Sequence, residues 1–260
     1  MKPTVHLGLI FAVFFVAMSQ PARALPEAEA TAGRLILRRY ADAIVSVKAT
    51  LSLKINVNDR SLPAREEAID INGTVISPLG LTVASLSSID PQVSFEAVRM
   101  QMSQSNVAVT LSQSEIKGLR LQLADGTEIP AHLVWKNGDR DLAFIMPDKP
   151  LAGGRTFAFV NLHEAPEAAI MLGNYYHLSR LSEVMLRAAV IRPSTVIGII
   201  ERPRRMLLVS TDVTQDTLGC PVFDAQGRVL GICLRYVIDN RLRGFVVVSA
   251  GEIADEMTHF

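Results

Sequence analysis

The sequence predicts an all-β protein of barrel architecture, on three observations. About ten short apolar runs are separated by Gly, Pro and Asp turns. Several runs alternate apolar and polar residues, the period of a strand with one face buried. The stretch from Leu207 to Val237 reads as a loop feeding a β-hairpin, with Gly219-Cys220-Pro221 opening one arm, Asp224-Ala225-Gln226-Gly227 as the turn, and Arg228 to Tyr236 as the other arm.

The chain has 260 residues. It begins with Lys2, an apolar run from Leu7 to Met18, and a small-x-small site ending at Ala24, which is the pattern of a signal peptide over residues 1–24. That run is too short to span a bilayer, so no membrane span is expected after cleavage, and the mature chain is placed in the periplasm or outside the cell. Removing Lys2 and Arg23 leaves 24 basic against 26 acidic residues, a balance that gives no reason to expect nucleic acid. The basic cluster Arg202-Pro203-Arg204-Arg205 reads as a solvated loop between strands.

Residues 25–42 are a lead-in that ends in a short helix near Arg34 to Tyr40. Ala43 to Ile55 alternates as a half-buried strand, and Asn56 to Ala68, with Pro63, is a loop. Ile69 to Asp90 gives two strands joined by the turn Ser77-Pro78-Leu79-Gly80. Asp90 to Lys117 is expected to be an insertion with a strand or hairpin of its own, on the alternating run Val107 to Leu111. Leu119 to Asp148 reads as strand, turn, strand, followed by the strand Leu142 to Ile145. Pro150 and Gly153-Gly154 mark a junction, beyond which strands are expected near Thr156 to Leu162, Ala168 to Leu172, Leu186 to Ile191 and Ser194 to Ile200. Arg243 to Ser249 is a closing strand, and Glu252 to Met257 a C-terminal helix.

The hairpin letters, Gly219-Cys220-Pro221-Val222-Phe223-Asp224 through Gly227-Arg228-Val229-Leu230-Gly231-Ile232, resemble the segment after the nucleophilic serine in trypsin-like peptidases of the HtrA/Deg family. Gly73-Thr74-Val75-Ile76-Ser77-Pro78-Leu79-Gly80 resembles that family's G-[ST]-G-V-[VI]-I-S-P-x-G, and Asp141-Leu142-Ala143-Phe144-Ile145 its D-L-A-[VL]-L. Gly173-Asn174 is similar to its G-N-P turn. The resemblance runs from about Tyr40 to the C-terminus. It implies two packed barrels of trypsin-like peptidase architecture, the first over 43–152 with the insertion 90–117, the second over 153–260 with the C-terminal helix, and no PDZ domain.

The same alignment puts Ser87 where the family has its histidine base, Asp141 at the orienting acid, and Leu218 at the nucleophilic serine. A leucine has no heteroatom with which to attack a carbonyl, and a neutral hydroxyl cannot serve as the base. The segment from Asp212 to Gly219 is also about two residues shorter than the family's T-D-A-A-I-N-P-G-N-S-G, which undermines an oxyanion hole. No functional catalytic residue is therefore implied. The strand Cys233 to Val237 matches the one that receives substrate by backbone pairing, so Leu234, Arg235 and Tyr236 are the binding candidates.

Cys220 and Cys233 fall at about the same level on the two hairpin arms, either as a cross-strand disulfide of an exported protein or as two buried thiols. No Cys-x-x-Cys or paired-His spacing suggests a metal, and no cofactor is implied. The leading reading is an exported pseudo-peptidase that binds extended polypeptide. The alternatives are an active hydrolase using His177, Thr217 or Ser87 in altered roles, with His177 otherwise a surface residue, and an envelope interaction domain whose partner docks on 90–117.

Overall fold

The computed structural model describes residues 25–57, 60–90, 92, 95–96, 99, 109–166, 169–202, 204–210, 213–238 and 241–259. The signal segment expected over 1–24 and most of the interval 91–108 lie outside the described residues. No helix among the described residues is long and apolar enough to cross a membrane.

The chain enters through helix α1 (Glu27–Tyr40), longer than the single turn or two expected. Glu27 and Glu29 at its start and Arg38 and Arg39 at its end oppose the helix dipole. Its buried face carries Gly33, Ile36 and Tyr40. The Tyr40 ring stacks on Phe223 at 4.6 Å, and its hydroxyl donates to Gly227 O at 3.1 Å. The helix is thus fixed to the second barrel although the strand that follows it opens the first.

The first barrel comprises β1 (Ile44–Val57), β2 (Arg60–Ser61), β3 (Arg65–Val75), β4 (Thr82–Ser85), β5 (Val109–Gln122), β6 (Glu128–Asn137) and β7 (Leu142–Pro147). The order is β2-β1-β3-β4-β7-β6-β5, and pairing of β5 back onto β1 closes the ring with β2 appended at its edge. A short helical turn α2 (Leu86–Ile89) follows β4. Gly80, at φ +95°, makes the turn between β3 and β4, where a Cβ would come within 2.7 Å of the Phe157 ring.

The strand expected inside 90–117 is not a separate one: Val109 onward is the start of β5, paired with β1 from Val57↔Val109 to Ser46↔Gln122, so the alternation there belongs to the barrel itself. Residues 156–162 form no strand either. They run extended across the first barrel, with Phe157 N donating to Pro78 O at 3.1 Å and Val160 N to Val75 O at 2.9 Å, and Phe157 packs into that barrel's core.

The second barrel is closed by β8 (Asn174–Arg180), β9 (Ala189–Ile200), β10 (Met206–Val209), β11 (Pro221–Asp224), β12 (Val229–Ile238) and β13 (Arg241–Ser249), in the order β10-β13-β12-β11-β8-β9. The two strands expected on either side of Pro193 are one strand, β9. Its start is delayed to Ala189 because Leu186 and Arg187 both take positive φ. The strand expected over 168–172 is also absent among the described residues there, where Leu172 turns the chain at φ +59° into β8.

Helix α3 (Ala250–Glu256) closes the chain, with Ser249 accepting from Glu252 N as its N-cap. Its last residue, Glu256, is buried and accepts from Trp135 Nε1 at 3.2 Å, Asn137 Nδ2 at 3.0 Å and Arg140 Nη1. Between the barrels lies one apolar seam, in which Ile44, Val83, Leu142 and Phe144 of the first meet Leu178, Phe223, Ile232 and Leu234 of the second.

Candidate functional site

The site is built outward from Asp141. Asn137 Oδ1 accepts from Asp139 N at 3.1 Å and Arg140 N at 3.3 Å, which curls Gly138–Arg140 into one turn of 3₁₀ helix. Asp141 ends that turn at φ +56°, a conformation that aspartate tolerates better than most residues. Its side chain is thereby directed into the seam, where the residue is 1% exposed.

The carboxylate meets three donors. Oδ1 accepts from Ser87 N at 2.6 Å, while Oδ2 accepts from Ser85 Oγ at 2.6 Å and from Arg235 N at 2.8 Å. Leu86 N donates to the Asp141 backbone carbonyl at 2.9 Å, locking α2 to the same corner. Burial raises the Asp141 carboxyl above its ordinary value, and the hydrogen bonds from Ser85, Ser87 and Arg235 pull against it. Ser87, assigned from the sequence to the base position, adjoins the acid through its amide. Its hydroxyl lies 3.3 Å from Ser85 Oγ, so the corner holds serines where imidazole chemistry would need a ring nitrogen.

The other half of the site is the chain before β11. Gln215–Thr217 forms a 3₁₀ turn in which Thr214 N donates to Thr217 Oγ1 at 3.0 Å and Thr217 Oγ1 donates to Thr214 O at 2.8 Å. That hydroxyl is fully buried and doubly engaged, so Thr217 is not placed to act as a nucleophile. Leu218 follows, 1% exposed. Gly219 N then donates to Cys233 O at 2.8 Å and Cys233 N to Cys220 O at 2.9 Å, so two residues of one arm face one of the other, a bulge with glycine at the positive-φ position.

The two halves are tied across the seam. Thr74 Oγ1 donates to Gly219 O at 2.6 Å, and Asn72 Nδ2 donates to both Arg180 O and Asp216 O at 2.7 Å. Leu218 and Asp141 are linked through β12, where Cys233 pairs with Gly219 and Arg235, two residues on, donates to the acid.

His177 departs from its expected place. It lies on β8 opposite Val222, 0% exposed, not in a surface loop. Among the described residues neither ring nitrogen has a partner at good hydrogen-bond geometry, although the Thr217 and Cys220 backbone lies close. Burial, then the neighbouring Arg192 charge, lowers its pKa to about 4, against a smaller opposite effect of the Thr217 and Cys220 backbone. Such an imidazole is neutral at physiological pH but closed to solvent and substrate. His177 lies near the Thr217 backbone, but its ring is closed to solvent and the Thr217 hydroxyl is engaged with Thr214.

Cys220 and Cys233 are cross-strand neighbours and stand as free, buried thiols. Cys220 Sγ donates to Asp216 O at 3.4 Å. Burial holds the Cys220 thiol well above its ordinary value and pushes Cys233 up to about 12, with the Asp141 charge adding to the latter, so neither is a ready thiolate. Among the described residues no three His, Cys, Asp or Glu gather as a metal site.

Of the binding candidates, Leu234 is fully buried in the seam and Tyr236 is packed against it. Arg235 places its backbone N–H on Asp141 and its Nη2 on Gln215 Oε1 at 3.2 Å. Three residues that organise the site escaped the sequence reading: Asn72, Ser85 and Arg180. Arg180 is buried in a cage of acceptors, with Nε on Ile44 O at 2.9 Å, Nη2 on Ala41 O at 2.8 Å and Nη1 on Arg187 O at 3.0 Å.

No protein-family model matches the chain, and neither does any curated protein sequence. Solved structures do. The MamO protease domain of Magnetospirillum magneticum, in its apo form, is 15% identical with a TM-score of 0.54, over 84% of this chain and 97% of that one. The Rv3671c protease of M. tuberculosis, in an inactive form, is 16% identical with a TM-score of 0.52, over 88% and 94%. The serine endoprotease of Yersinia pestis is 15% identical with a TM-score of 0.56, over 91% and 67%. Two closed β-rings meeting at a buried acid, matched over most of the chain by such domains, give this protein the trypsin-like serine protease fold.

Proposed function

We propose that this protein is an exported, non-catalytic module that binds polypeptide on a trypsin-like fold. The observation that carries the reading is the Asp141 corner. Its carboxylate is occupied by two backbone amides and a serine hydroxyl, with no imidazole beside it and a buried leucine in place of a nucleophile. Acyl transfer needs a hydroxyl or thiol and a base to take its proton, and the corner supplies neither.

Export rests on the signal-like pattern over 1–24, and polypeptide binding on the likeness to protease domains and on strand β12 beside the acid corner. The reading is tested with the mature chain, Leu25 to Phe260, on an array of unstructured peptides. Binding of a subset without cleavage is the expected result. Retention of none would favour a purely architectural role, and cleavage products would restore the enzyme.

A further inference from the structure

We propose that the turn before β8, with its neighbour on β9, is a lipid-contacting face that seats the second barrel on the surface of a zwitterionic bilayer without spanning it. This goes beyond the polypeptide-binding reading and does not depend on it. The face carries Ile170, Met171 and Leu172 in succession, 71%, 48% and 72% exposed, and Ile197 at 53%. Leu172 N donates to Val196 O at 2.9 Å, which sets the turn against β9 beside Ile197.

The turn is closed, not slack. Gly173 N donates to Ile170 O at 3.1 Å, and the Tyr175 hydroxyl accepts from Ile170 N at 2.7 Å and donates to Ile170 O at 3.2 Å. Leu172 sits at φ +59°, a region that leucine seldom adopts. Apolar side chains fixed toward solvent by their own backbone suit contact with an apolar surface.

The kind of surface is indicated by where the apolar start of the sequence joins. Asn174 Nδ2 donates to Glu29 Oε1 at 2.9 Å, and the Tyr176 hydroxyl donates to Glu29 O at 3.0 Å, so the start of α1 lies against the start of β8. Glu29, Asn174, Thr195 and Ser210 line one cavity of about 160 Å³ there. Leu25 is four residues before Glu29, at most about 14 Å of chain. The apolar run Leu7 to Met18 is thus attached at the end of the second barrel that displays Ile170 to Leu172, and a segment directed to a bilayer during export leaves the protein beside that face. Local charge selects the lipid. The cavity's lining holds no lysine or arginine, and Arg34, the first cation of α1, is paired with Glu27 at 2.5 Å. Attraction to anionic headgroups therefore has no source at this rim, and the contact is apolar, with neutral hydroxyl and amide groups at headgroup depth.

The test is flotation of the chain Leu25 to Phe260 with phosphatidylcholine vesicles, with and without added phosphatidylglycerol. Flotation is expected with both and at high salt, and Ile170→Ser with Met171→Ser and Leu172→Ser should lower the partition coefficient about tenfold. Met171→Trp keeps the face apolar and should keep binding. On addition of brominated phosphatidylcholine vesicles its emission should be quenched beyond that of the unaltered chain, whose one tryptophan is Trp135. No flotation, flotation unchanged in the triple serine variant, absence of the added quenching, or binding that needs phosphatidylglycerol and vanishes at high salt would overturn the proposal. Two other occupants would overturn it as well. A concentration-dependent dimer lost in the triple variant would give the face to a second copy, and Met171→Trp emission already blue-shifted in the full chain without vesicles would give it to segment 1–24.

Discussion

The acid corner and the loop before β11 are joined through two residues of β12, yet they are organised differently. At the corner the backbone does the holding: Ser87 and Arg235 amides converge on Asp141. In the loop, side chains that chemistry would need in the open are turned inward, with Leu218 buried and the Thr217 hydroxyl closed on Thr214. The difference teaches that a buried carboxylate in this fold has a structural task of its own. It satisfies amides of both barrels, whatever the neighbouring residues can do.

The largest effect is expected where the loop touches the first barrel. A Cβ at Gly219 would stand 2.3 Å from Asn72 O, and the residue is at φ +75°. Gly219→Ala should cost about 4 kcal/mol in chemical denaturation, from the clash together with left-handed strain. A loss below about 1 kcal/mol would mean that the loop adjusts freely and the seam is loose there.

Next comes His177, behind the loop. Its folded pKa is depressed to about 4 from 6.5, so the stability it contributes is present above pH 6.5 and is lost as pH falls through 4. Between those limits the protein should lose about 3 kcal/mol on this account, and His177→Leu should flatten that part of the pH profile. An unchanged profile would place a proton or a solvent path at His177 and reopen its chemical role.

The acid corner should answer with a smaller change. Asp141→Ala strands the Ser87 and Arg235 amides but also removes a carboxylate that burial disfavours, for a net loss of about 2 kcal/mol. Because the folded pKa is raised, the charge penalty is absent at low pH and grows as pH rises through the unfolded and then the folded value. The cost of Asp141→Ala should therefore be greatest at acid pH and shrink toward neutrality. The opposite trend would mean that the ionised carboxylate is net stabilising, as in a corner tuned for charge.

Much of this was legible in the sequence, for identifiable reasons. The turns at Ser77–Gly80 and Asp224–Gly227 and the strands around them are short-range structure, fixed by glycine, proline and aspartate at set positions. Asp141 was marked by the letters after it. Strand β8 was not legible, because Tyr175 to Arg180 are all buried and so show no alternation, and because His177, Ser179 and Arg180 are polar. Arg180 is buried only because the carbonyls of Ala41 and Ile44, far away in sequence, and that of Arg187 meet it, a circumstance no local pattern encodes. Residues 156–162 misled in the other direction. Phe157, Val160 and Leu162 look like a strand face because they pack on the barrels, but the backbone joins no ladder. Ser85 carried no signal, being a serine among serines until the fold put it on Asp141.

The central claim is that the corner is structurally complete and chemically empty. Its most direct test is hydrolysis of casein and labelling by a fluorophosphonate probe for the chain Leu25 to Phe260, for Leu218→Ser, and for Leu218→Ser with Ser87→His. The account predicts neither cleavage nor labelling for the first two, since a hydroxyl at 218 without an imidazole at 87 has no base, and detectable labelling only for the double variant. Hydrolysis by the unaltered chain, lost on His177→Leu, would contradict it.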